Sequence, residues 1–184
     1  MQEKPYRLGL LVGRFQMLHL GHEQMIRASL RLCDETLLLI GSSQEEGTAK
    51  NPFSFEQRAA MLRAVFGSSV LIAPLPDIGV GNNALWGEYV LETAEKAAGR
   101  LPDLFVSGRE SRRTEWFGGP RGSGITELYL PKAIPVSASL LRGYLMDDDR
   151  AAWENLTSPG LHPLYESLRS TVLKASANTE TRSI

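Results

Sequence analysis

A single cysteine, three histidines and no long apolar run are what this 184-residue chain has least of, and each scarcity excludes something. Cys33 has no partner for an internal disulfide, so a reducing compartment suffices. Its apolar flanks predict a helix and a buried structural thiol rather than a reactive one. The longest apolar stretch, residues 36–40 with their neighbours, falls far short of the roughly 18 residues of a membrane span. The opening residues Met1 to Pro5 carry no signal-peptide pattern, so a cytoplasmic location with no membrane partner is expected. An excess of one charge is missing too. Lys and Arg number 20 against 21 Asp and Glu, a net charge of −1 without a dense basic block. That excludes bulk binding of nucleic acid and leaves any charged ligand to be met locally.

What is present reads as one domain over residues 1–174, with helices from about residue 147 and a polar, frayed tail at 175–184. Short apolar runs at residues 6–12, 35–40, 70–74, 104–107 and 127–130 read as strands. The run at 35–40 does not alternate, which suits a strand covered on both faces. Between them lie helical patterns through Met25, Ile26, Leu30 and Cys33, from Ser54 to Phe66, and over residues 85–98. Ser54 followed by Gln57 forms a capping box. Alternation of this kind predicts an α/β fold, an open parallel sheet of about five strands with helices on both faces and ligands at the carboxyl ends of its strands. The glycine-rich segment 118–124 reads as a mobile surface loop rather than a phosphate cradle.

Two of the three histidines fall in one stretch after the first strand, Gly13-Arg14-Phe15-Gln16-Met17-Leu18-His19-Leu20-Gly21-His22. A strand that ends in a loop and opens a helix gathers free N–H groups and the positive end of the helix dipole. Gly21 keeps the backbone approachable, and Arg14 adds a fork suited to phosphate oxygens. An imidazole on each side of the glycine can donate to nonbridging oxygens, which points to phosphate chemistry without a protein nucleophile. A zinc site is disfavoured because Cys33 and His162 offer no ligand spacing.

The stretch GRFQMLHLGH resembles the GRFQPFHxGH signature of the HxGH nucleotidyltransferases, in particular the archaeal-type nicotinamide mononucleotide (NMN) adenylyltransferases and the matching domain of bifunctional adenylyltransferase/Nudix proteins. Gly41-Ser42-Ser43-Gln44, Asn51-Pro52-Phe53 and Glu56-Gln57-Arg58 are similar to the GSAQ…NPFT…ER block. Pro76-Asp77-Ile78 with residues 82–86 resembles PDI…NALW, and residues 136–142 resemble ISxTxxR. The resemblance implies a Rossmann-like nucleotidyltransferase fold, ATP and NMN or nicotinate mononucleotide as substrates, Mg2+ carried by the ATP phosphates with no side-chain metal ligand, and a homo-oligomer.

It also implies roles. Arg14, His19, His22 and Arg142 would be catalytic, and Gly13, Phe15, Gln16, Gly21, Ser137 and Ser139 would join them around the ATP phosphates. Gln44, Lys50, Asn83 and Trp86 would meet NMN, the indole stacking on the pyridine ring. Arg109, Arg112 and Arg113 stand at a strand end from which a triphosphate could be reached. Two positions depart from the family pattern. Met17 replaces a proline, which loosens the loop, and Ser139 replaces a threonine. The readings that compete are nucleotidyl transfer to another phosphorylated acceptor, a nucleotide-binding regulatory module without turnover, and a synthetase catalytic core.

Overall fold

The computed structural model describes residues 3–181, with side chains to residue 178. In chain order it contains β1 (Tyr6–Gly13), α1 (Leu20–Leu32), β2 (Cys33–Gly41), α2 (Phe55–Phe66), β3 (Leu71–Leu75), α3 (Asn83–Ala98) and β4 (Leu104–Ser107). There follow α4 (Arg112–Trp116), β5 (Thr126–Tyr129), α5 (Ala138–Met146), α6 (Arg150–Asn155) and α7 (Tyr165–Thr181), with 3-10 turns at Pro120–Gly122 and Pro159–Leu164. The strands form one parallel sheet in the order β3-β2-β1-β4-β5. Among the described residues no helix is long and apolar enough to cross a membrane.

The continuous apolar runs are explained by the two covered faces. Successive side chains of a strand point to opposite sides. Leu8, Leu10, Leu37, Leu39 and Phe105 therefore pack with α3 and α4 residues on one side. Leu11, Leu38, Ile40, Leu104 and Val106 pack on the other with α1, α2 and the C-terminal helices. Chain order runs outward from β1 to β3 and then returns to place β4 on the other side of β1. The strand order thus reverses between β1 and β4, and a crevice opens there at their carboxyl ends.

Two expectations are corrected and one is refined. Cys33 is not in a helix but opens β2. It is fully buried, and burial pushes its thiol up to about 11. Segment 118–124 lies at the surface and lines neither cavity, but it is tied down. Gly122 is buried, where a Cβ would come within 2.5 Å of the Phe117 Cβ, and Arg121 ties the segment to α3 through Glu88 (3.5 Å) and Glu95 (2.7 Å). Helix α7 runs through residues expected to fray, because Ala175 is buried and extends the packed face; residues 182–184 lie outside the described ones. The Ser54–Gln57 capping box forms as read, with both of its reciprocal bonds.

Candidate active site at the carboxyl ends of β1 and β4

The loop leaving β1 is held from beneath. Phe15 adopts a left-handed conformation (φ 50°), costly for a bulky residue and maintained only where its surroundings impose it. Arg58, one turn into α2 and 0% exposed, imposes it. Its guanidinium donates to the carbonyls of Ser54 (3.1 Å), Arg14 (3.1 Å), Gly41 (2.9 Å), Ser42 (3.2 Å), Ser43 (3.4 Å) and Glu45 (3.4 Å). Burial pushes this guanidinium below its ordinary pKa. Gln16 adds a second clamp: its side chain is 3% exposed, donates to the Phe53 carbonyl (2.9 Å) and accepts from the Phe53 N–H (3.0 Å). These bonds supply the rigidity that Met17, buried in the core, cannot supply in place of a proline.

His19 is the N-cap of α1. Its Nδ1 accepts from the His22 N–H at 3.2 Å, so in the neutral ring the proton sits on Nε2. The His19 and His22 rings stack at 3.7 Å with 15° between their planes. Burial, assisted by the charge of Lys132, lowers the His19 pKa to about 4. Burial and then the neighbouring His19 hold His22 well below its ordinary value. At neutral pH the pair is therefore two uncharged rings. His22 Nδ1 is buried without a partner. Gly21 also serves this packing: a Cβ there would stand 3.1 Å from His19 Nδ1 and 3.4 Å from Val136.

A cleft of about 420 Å³ lies beside the pair, lined by Arg14, His19, His22, Lys132, Ser139 and Arg142 among others, with no acidic residue in its wall. Arg142 donates to the Gln16 carbonyl and to Ser139 Oγ (3.1 Å). Its pKa is lowered by burial and then by Arg14. Ser137 lines the cleft while its hydroxyl accepts from the Leu140 N–H (3.2 Å) as the N-cap of α5. Phe15, Gln16 and Gly21 also line the cleft. Gln16 lends it only backbone, since its amide is engaged with Phe53. Lys132, which precedes α5, escaped the sequence reading: it stands outside every motif, and only the fold brings it over His19.

A second cavity of about 200 Å³ adjoins the first, lined by Gly13, His22, Ser107, Arg109, Arg112 and Trp116 among others. Trp116 reaches it because α4 packs closely on α3, where a Cβ on Gly87 would lie 1.6 Å from the Trp116 carbonyl oxygen. Arg113 turns away, its N–H to Glu127 (3.0 Å) and its guanidinium to the Gly122 carbonyl (3.4 Å). Gln44, Lys50, Asn83 and Trp86 line neither cavity. Gln44 is paired with Asp77, Lys50 and Asn83 are exposed, and Asn82 rather than Asn83 caps α3. Trp86 is half-buried with its ring edge-on to Trp116 at 6.1 Å.

The cytidylyltransferase-like family model matches residues 10–116. The chain belongs to that family. The matched span holds the carboxyl half of β1, the histidine pair, Arg58 and both walls of the second cavity, and it stops before the α5 residues of the large cleft. The chain is 43% identical over 88 residues to the nicotinamide-nucleotide adenylyltransferase of Saccharolobus solfataricus, covering 45% of this chain and 50% of that protein. It is 41% identical over 87 residues to the enzyme of the same name from Pyrococcus horikoshii, covering 45% and 46%. The match thus spans about half the length of these curated relatives. The fold is that of a bifunctional NMN adenylyltransferase/ADP ribose pyrophosphatase from Francisella tularensis, with a TM-score of 0.76 at 19% identity over 96% of this chain and 54% of that one. A structure of the same bifunctional protein complexed with AMP and a Mn ion superposes with a TM-score of 0.73 at 18% identity, over 96% and 53%.

Proposed function

We propose that the protein transfers the adenylyl group of ATP to the 5′-phosphate of nicotinamide mononucleotide, giving NAD and pyrophosphate. The observation that carries this reading is the large cleft itself: Arg14, Lys132 and Arg142 around two neutral imidazoles at a helix N-terminus, with no acid in the wall. A triphosphate is the kind of ligand that such a wall fits. An oxygen of the acceptor phosphate attacks the α-phosphorus, the bond from that phosphorus to the bridging oxygen breaks, and pyrophosphate leaves with the electron pair. No protein nucleophile is needed, so the chain's task is to position two polyanions and offset charge on the transferring group.

His19 suits the reacting centre because its Nδ1 is engaged by the His22 N–H, which leaves Nε2–H to donate to a nonbridging oxygen. His22, Arg14 and Arg142 complete the donor set, with Arg142 aimed by its bonds to Gln16 and Ser139. Gly13, Phe15, Gln16 and Gly21 shape the phosphate loop, and Ser137 faces the cleft from the start of α5. Gln44, Lys50, Asn83 and Trp86 remain on the acceptor side, Trp86 acting through its edge contact with Trp116. Among the described residues no cluster of His, Cys, Asp or Glu is placed to hold a metal ion. The wall of cations and neutral donors fits a divalent ion, Mg2+, brought in on the ATP phosphates rather than held by side chains. A cytoplasmic homo-oligomer completes the reading.

The test is pyrophosphate release with ATP, Mg2+ and NMN, run beside a His19→Ala variant. Release that falls by about 10²–10³ in the variant is expected for loss of one donor to the developing charge. Release with another phosphorylated acceptor and none with NMN would sink the reading.

A further inference from the structure

The smaller cavity lies where the strand order reverses, between the carboxyl ends of β1 and β4, the crevice in which open parallel sheets receive ligands. It meets the large cleft at Phe15, His22, Met25 and Gly108. With a triphosphate among Arg14, Lys132 and Arg142, an acceptor phosphate comes to His22 from this other side. The acceptor's ring then lies against the aromatic wall of the smaller cavity, Phe105 and Trp116.

The charges of that wall are unequal. The Arg112 guanidinium sits over the Trp116 ring at 4.8 Å and its side chain is only 22% exposed. Arg112 and Arg109 pair with the same carboxylate, that of Glu115, at 3.2 and 3.5 Å. Both arginines line the cavity and Glu115 does not. Two guanidiniums thus share one carboxylate, which leaves surplus positive charge at this wall; the Arg109 side chain is 65% exposed, so Arg112 is the cation held against the cavity. A pyridinium ring bearing a carboxamide is a cation and meets that surplus unfavourably. The same ring bearing a carboxylate is zwitterionic, and its two oxygens match a guanidinium fork.

We propose that the smaller cavity is the acceptor-ring site and that Arg112, packed on Trp116, selects a pyridine mononucleotide whose ring carries a carboxylate over one carrying a carboxamide. The inference rests on the adenylyl-transfer reading above. It sharpens that reading by making nicotinate mononucleotide the better acceptor and Arg112 the residue that decides it.

The experiment measures pyrophosphate release with ATP and Mg2+ and either acceptor, for the native protein, Arg112→Gln and Arg112→Lys. The kcat/KM ratio of carboxylate to carboxamide substrate is expected to be about tenfold or more in the native protein, the size of one charge-assisted hydrogen bond. It should fall by about tenfold in Arg112→Gln and by less in Arg112→Lys, which keeps the charge and loses the fork. A native ratio at or below one, or a ratio unchanged in Arg112→Gln, overturns the proposal while leaving adenylyl transfer standing. No release with either acceptor overturns adenylyl transfer itself, and this proposal with it. Should Arg112→Gln fail to fold, the native and Arg112→Lys ratios decide alone.

Discussion

The two cavities that meet at His22 are built on different physical terms. The large cleft is fixed by backbone: the carbonyls gathered on Arg58, the reciprocal Gln16–Phe53 bonds and the caps at His19 and Ser137 leave its loop one geometry. Its cations stand without a carboxylate in the wall. The smaller cavity is bounded by a five-residue helix entered through a left-handed Ser111 (φ 60°), and its cations are already engaged with Glu115. A site for a polyanion needs surplus positive charge on a rigid frame, because each donor must meet an oxygen whose place is set by the chemistry. A site for a ring needs shape and a finely set balance of charge, which a short, locally determined element can vary without disturbing the frame.

The sharpest way to break this contrast is to remove a cation from the large cleft. Arg142→Ala removes a guanidinium and releases the Gln16 carbonyl and the Ser139 hydroxyl that it holds. Pyrophosphate release at saturating substrates should fall by about 10²–10³, as for loss of a donor aimed at developing charge. A loss under threefold would mean that the cleft is not where charge is offset.

Next in size is the frame itself. Arg58→Met leaves the buried carbonyls of Gly41 and its neighbours without a donor, and a cost of about 3 kcal/mol is expected in urea unfolding. Arg58→Lys should fall between the two, since an ammonium has three donors where the guanidinium has five. A native unfolding midpoint in Arg58→Met would show that the cage contributes nothing.

How much of this could be read from sequence follows the same division. The parallel sheet, the histidine-bearing strand-loop-helix and the capping box were legible, because apolar runs, paired histidines at a helix start and Ser54-Gln57 are local patterns. Arg58 was visible only as a letter in a motif: nothing in an amphipathic helix says that an arginine will turn inward and meet carbonyls from two other loops. Lys132 and Trp116 were invisible for a related reason, since each reaches its cavity only through the crossing of elements distant in sequence. The expectation for Trp86 and Asn83 came from a motif whose residues the fold keeps out of the cavity wall, Trp86 meeting it only through Trp116.

The dependence of the smaller cavity on one contact gives a milder test. Gly87→Ala puts a methyl where the Trp116 carbonyl oxygen lies, so α4 must move away from α3. Overpacking of this kind costs about 1–3 kcal/mol. Because the displaced helix carries Arg112 and Trp116, KM for the acceptor should rise while KM for ATP changes little. Equal changes in both would mean that the two cavities are not separable.

The smallest effect expected is in the pH dependence of stability, and its sign follows from the histidine pair. The His19 pKa is lowered from 6.5 to about 4 by burial and Lys132, so between those values the unfolded chain holds a proton that the folded one does not. Stability therefore rises with pH across that window, is fully present above pH 6.5 and is lost as pH falls through 4. The cause is local: a proton on Nδ1 would face the His22 N–H that it now accepts from and would end the cap on α1. From pH 7 to pH 5 the melting temperature should drop by about 4–8 °C, the shift that ~2 kcal/mol brings in a domain of this size. His19→Asn keeps an N-cap and cannot titrate, so its drop should be smaller than that of the native protein. An equal drop in both would place the acid sensitivity elsewhere and leave the His19 ring ionisable near its ordinary value. The large cleft would then hold a cation at His19 in mild acid, and the contrast between a neutral donor pair and its charged surroundings would be lost.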